Sequence, residues 1–163
     1  MKKKYQTALA IYFAMISSLV VYTVLVLVLK NNGQFQAPYL PVEKMTMVRS
    51  LFFVLTVINF FAIRFLRKMM LVQTVIDYQT QVAKTSHDEY STVSVPLVPD
   101  FLPIEFVTLA ICEAVAVYGL VLFLLGKRPE DFFMFLGFSL VLFILYFPKY
   151  SQWQEWEARL SSK

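Results

Sequence analysis

The chain has 163 residues, of which 58% are hydrophobic and 16% charged, and its mean hydropathy is +0.61. Its 16 Phe are more than one small soluble core can hide, which excludes a soluble globular domain and indicates an integral membrane protein. The net charge of +4 does not call for nucleic acid, because anionic lipid headgroups are a sufficient counterpart.

The chain opens MKKKYQTALAIYF, three lysines ahead of an apolar run from Ala8 to Leu29. At about 22 residues the run is long enough to cross a hydrocarbon core of about 30 Å. No small-residue cleavage site follows it, so it reads as a retained anchor rather than a signal peptide. The next segment, KNNGQFQAPYLPVEK, carries Gly33, Pro38 and Pro41 and is expected to be a loop.

A second span is predicted over Thr46 to Leu66. Arg64, Arg67 and Lys68 at one end of it, and Arg49 at the other, read as side chains that snorkel to the membrane surface. From Met69 the sequence turns polar, although Leu71, Val75, Tyr78 and Val82 keep an approximate helical spacing that would extend the second helix. His87, with Asp88 and Glu89, reads as part of a solvated segment, and the proline-containing STVSVPLVPDFLP as an extended linker.

Two further spans are expected, over Pro103 to Leu125 and over Phe132 to Phe147. Only GKRPEDF separates them, with Gly126 ending one and Pro129 opening the next, so they form an antiparallel hairpin. Tyr146, Tyr150, Trp153 and Trp156 continue the last span as an aromatic belt, and the tail YSQWQEWEARLSSK reads as a short interfacial helix.

The fold class is therefore all-α, because spans of this length must satisfy their backbone internally and lack the alternation of barrel strands. The expected organisation is a first hairpin over 1–68, a cytoplasmic loop or linker over 69–102, and a second hairpin over 103–163. Orientation follows from the basic residues. With the N-terminus inside, the inner face holds ten of them: Lys2, Lys3, Lys4, Arg64, Arg67, Lys68, Lys84, Lys149, Arg159 and Lys163. The outer face holds five, namely Lys30, Lys44, Arg49, Lys127 and Arg128, which places both termini in the cytoplasm. The cell membrane expected is a bacterial inner membrane.

Glu113 is the most informative single residue, because it lies in the middle of the apolar run in ICEAVAVYGLVLFLL. A carboxyl group at bilayer depth is costly and marks either a functional site or a tight polar pairing. Counting to mid-span puts Ser17 and Ser18, Asn59, Cys112 and Ser139 at a similar depth. Hydrocarbon disfavours a bare carboxylate, so Glu113 is expected to hydrogen-bond to Asn59 or a serine and hold helices together, unless a cation or water reaches it. The alternative is a proton or ion relay through Glu113, with Glu105 about two turns away as an entry group and Thr108 and Cys112 between them.

The two halves also align. Setting Tyr22 against Tyr118 brings Ala14 to Ala110, Val21 to Val117 and Ser17 to Glu113, as a parallel duplication of hairpins would.

The stretch from Glu113 to Leu125, with its Tyr118-Gly119-Leu120 triplet, resembles the ion-carrying helix of the proteolipid, or c, subunit of rotary ATP synthases and vacuolar-type ATPases. The resemblance implies a ring in which Glu113 binds and releases a proton or sodium ion. The glycine-rich partner helix of that family is missing, the four glycines being scattered at 33, 119, 126 and 137. The Glu113 span also opens its hairpin, and the polar loop that precedes it in the family is replaced by a proline-containing segment.

Enzymatic signatures are lacking: there is no nucleophile elbow, phosphate loop or zinc pair, and the single Cys112 excludes a disulfide framework or a cysteine-rich metal site. The expectation is a non-enzyme without cofactor or metal, a structural or accessory subunit of a larger membrane complex. Its partners would be the lipid bilayer and either other membrane subunits or further copies of itself. A proton- or ion-translocating component built on Glu113 is the alternative.

Overall fold

The computed structural model describes residues 2–32, 41–87, 101–151 and 154–155. Residues 33–40 of the predicted loop, residues 88–100 with most of the predicted linker, Trp153, Trp156 and the tail beyond 156 lie outside them, as do the side chains of Val75, Tyr78, Val82 and His87.

Among the described residues there are four helices: α1 (Lys2–Asn31), α2 (Val42–His87), α3 (Leu102–Gly126) and α4 (Pro129–Leu145). Neither α1 nor α2 contains a Gly or Pro, so nothing interrupts the backbone ladder over 30 and 46 residues. At about 1.5 Å per residue α2 is about 69 Å long, and residues 69–87 continue it without a break. Three helices are long and apolar enough to cross a membrane, over Lys3–Asn31, Glu43–Thr74 and Leu102–Gly126. The fourth has 17 residues, about 25 Å, and falls short of that length.

Local chemistry explains the α3–α4 junction. Pro129 opens α4, where a missing N–H costs nothing, and Glu130 and Asp131 in the first turn complement the helix dipole. As expected, α3 ends at Gly126, and the residue that turns the chain out of it is Lys127, left-handed at φ 58°. Its N–H donates to the Phe123 carbonyl at 2.8 Å. Gly126 remains helical, and its bare Cα leaves room for the Met45 side chain of α2, whose Cε lies 2.5 Å from where a Cβ would stand.

The third helix is the hub, packed against each of the other three. Leu109, Cys112, Val115, Ala116 and Leu122 of α3 are fully buried, joined by Leu19 of α1, Ile63 of α2 and Phe135 and Phe143 of α4. Its approach to α4 is closest at Gly119, where a Cβ would lie 2.8 Å from the Cβ of Phe135 and 3.0 Å from the Phe132 carbonyl oxygen. Cys112, Ala116 and Gly119 recur at helical spacing, so a strip of small side chains on α3 admits α4. Beyond α4 the chain returns to the start of α1: the Tyr5 hydroxyl donates to the Pro148 carbonyl at 3.3 Å, and the Tyr5 and Tyr150 rings meet edge to face.

Candidate functional site

Halfway along the bundle, each outer helix reaches α3 through polar side chains. Ser18 and Tyr22 stand one turn apart on the same face of α1. Both reach the same atom of α3, with Ser18 Oγ 2.5 Å and the Tyr22 hydroxyl 2.8 Å from Glu113 Oε1. Tyr118 lies five residues beyond Glu113, about 140° round the helix, and faces α2 instead. There Asn59 Nδ2 donates to the Tyr118 hydroxyl at 3.1 Å, while the Tyr118 ring stacks on Phe52 at 5.2 Å. From α4, the buried Ser139 hydroxyl donates to the Cys112 carbonyl at 2.8 Å.

The hydrogens at Glu113 can be counted. Ser18 has one hydroxyl hydrogen, yet Ser18 Oγ is also 2.6 Å from the Met15 carbonyl of its own helix. If that hydrogen goes to Met15, the contact with Glu113 closes when the carboxyl donates to Ser18. If it goes to Glu113, Ser18 and Tyr22 both donate to one carboxylate oxygen. Ser18 Oγ thus stands within hydrogen-bond distance of both the Met15 carbonyl and Glu113 Oε1.

The residues expected at this depth are distributed among these contacts. Ser18 pairs with Glu113, whereas Ser17 is exposed and donates to the Phe13 carbonyl of its own helix at 2.9 Å. Asn59 and Ser139 bind α3 at Tyr118 and Cys112, not at Glu113. Tyr22 as a partner of Glu113 escaped the sequence reading; its spacing of four from Ser18 is the signal that would have found it.

Two ion pairs bracket this layer. Arg67 Nη2 of α2 lies 3.3 Å from Oε1 of Glu105, a residue only 1% exposed, and the Arg67 guanidinium sits 5.5 Å above the Tyr146 ring. At the other end Arg49 Nε lies 3.1 Å from Oδ1 of the buried Asp131, with Arg49 Nη2 4.0 Å from the Met134 sulfur. Both arginines, expected to snorkel to a membrane surface, pair with carboxylates, because α2 crosses both ends of the α3–α4 hairpin. The arginines are 67 − 49 = 18 residues apart, about 27 Å along α2 and close to the thickness of a hydrocarbon core. Glu105, expected as an entry group to Glu113, is thus held in the pair with Arg67.

Among the described residues no three His, Cys, Asp or Glu side chains converge to hold a metal ion. Compared with known proteins, the chain matches no family model, no curated protein and no solved structure.

Proposed function

We propose that this chain is a four-span membrane protein of two antiparallel hairpins that serves as a structural or accessory subunit of a larger membrane complex. Both termini would be cytoplasmic in a bacterial inner membrane, with the Arg67–Glu105 pair at the inner surface and the Arg49–Asp131 pair at the outer. In this reading Glu113 ties α1 to α3 and carries nothing.

One observation carries the proposal. Along α2 the exposed side chains Met47, Leu51, Val54, Ile58, Phe61, Phe65, Met69, Val72 and Ile76 recur in steps of three and four, with Met47, Val54 and Phe61 seven apart and Leu51, Ile58, Phe65 and Val72 likewise. That is the pattern of a helix packed along another at a shallow left-handed crossing. From Met47 to Ile76 the stripe runs about 43 Å, longer than the roughly 30 Å of hydrocarbon, so lipid tails do not cover all of it. A partner helix would.

A photo-crosslinking residue at Ile58 and at Val72, in native membranes, tests this against Phe106, an exposed position of α3 off the stripe. A discrete protein adduct is expected from both α2 positions and none from Phe106. Lipid adducts alone at all three would remove the basis for a subunit.

A second reading, a proton- or ion-translocating component, draws on the two hydrogen-bond arrangements open to Ser18 and Glu113 and on the c-subunit-like stretch Glu113 to Leu125. It requires Glu113 to be reached by the ion it carries.

A further inference from the structure

The second and fourth helices both lean on α3 and leave a groove between them, walled by Phe53, Val57 and Phe60 of α2 and Phe138, Val141 and Leu145 of α4. Its volume is about 260 Å³, below the roughly 300 Å³ where pockets for small molecules begin, so it suits a narrow ligand. The wall is apolar throughout: even Thr56, also in the lining, turns its hydroxyl to the Phe52 carbonyl at 2.9 Å. The Phe53 and Phe138 rings meet edge to face at one end, 5.8 Å apart.

The other end is basic. Arg64 stands one turn beyond Phe60 on the same face of α2, its guanidinium 5.6 Å from the Phe60 ring centre. Its side chain is exposed, as is that of Lys68 a turn further, and among the described residues no carboxylate pairs with Arg64. An apolar channel at hydrocarbon depth that opens beneath a cation matches one molecule of the bilayer, chain inward and charge outward.

We infer that the α2–α4 groove binds an acyl chain of an anionic phospholipid, with the headgroup phosphate held by Arg64. The inference rests on membrane placement and not on the subunit reading; detergent-dependent extraction checks that placement separately. A bound lipid would fill the gap left in the bundle wall where α2 and α4 pack on α3 rather than on each other.

Native mass spectrometry of the full chain in mild detergent tests this, with phosphatidylglycerol and phosphatidylcholine of the same acyl chains added in turn. The wild type is expected to retain the anionic lipid about fivefold better, the factor one basic side chain near a lipid surface supplies. Arg64→Gln, a surface change, is expected to bring that ratio to about one. Val141→Trp, which fills the groove from an exposed position, is expected to lower retention of both lipids. Equal retention of the two lipids by the wild type would overturn the proposal. So would an Arg64→Gln ratio unchanged from wild type, or a dimer in place of lipid adducts, which would assign the groove to a second copy.

Discussion

Arg67→Met is expected to lower the stability of the folded bundle by about 3–5 kcal/mol, the cost of breaking a buried ion pair by removing one member. Glu105 is 1% exposed with the guanidinium 3.3 Å from its Oε1, while Met keeps the length and much of the packing of the arginine stem. The double variant Arg67→Met/Glu105→Leu is expected to recover most of the loss, because a well-packed apolar pair replaces a buried ion pair at little cost. Reversible unfolding in mixed detergent micelles measures both. An Arg67→Met protein within about 0.5 kcal/mol of wild type, the range of surface substitutions, would show that water already solvates this end of α3.

Gly119→Ala is expected to cost about 1–3 kcal/mol, the range for forcing extra volume into a packed core. The groups in its way are the Cβ of Phe135 and the backbone of Phe132, which move only if α4 moves, and not the ends of flexible side chains. Displacing α4 would also stretch the 2.8 Å contact from Ser139 to the Cys112 carbonyl. Gly137→Ala is the internal control: nothing lies within 4 Å of its would-be Cβ, so the substitution should be neutral or stabilise by up to about 1 kcal/mol. Equal melting temperatures for the two variants would mean that α3 and α4 pack more loosely than the Gly119 contact requires.

The helices were legible in the sequence because hydrophobic length is a one-dimensional quantity. Which way each side chain faces is not. Ser17 and Ser18 have the same depth, yet neighbours on a helix point about 100° apart, and only the packing of α1 on α3 selects Ser18 for Glu113. The first helix is apolar on every side, so its buried face, Ala8, Tyr12, Leu19 and Val26, carries no compositional mark. Arg67 and Arg49 resembled interfacial anchors because their carboxylates are distant in the chain, at Glu105 (105 − 67 = 38 residues) and at Asp131 (131 − 49 = 82 residues). Asp131 itself had passed for part of a turn. The small residues Cys112, Ala116 and Gly119 were visible, but the scatter of the glycines hides a strip in which cysteine and alanine serve equally well.

Glu113 decides between a structural tie and an ion carrier, and carbodiimide labelling of the detergent-solubilised protein across pH, located by mass spectrometry, measures it most directly. With Oε1 held by Ser18 and Tyr22 inside the α1–α3 seam, the account predicts no adduct at Glu113 in the wild type at any pH, normal folding of Glu113→Gln, and labelling once Ser18→Ala and Tyr22→Phe remove both contacts. Ready labelling of wild-type Glu113 that declines as pH rises or as sodium is added would contradict it, and would identify Glu113 as a site that an ion visits.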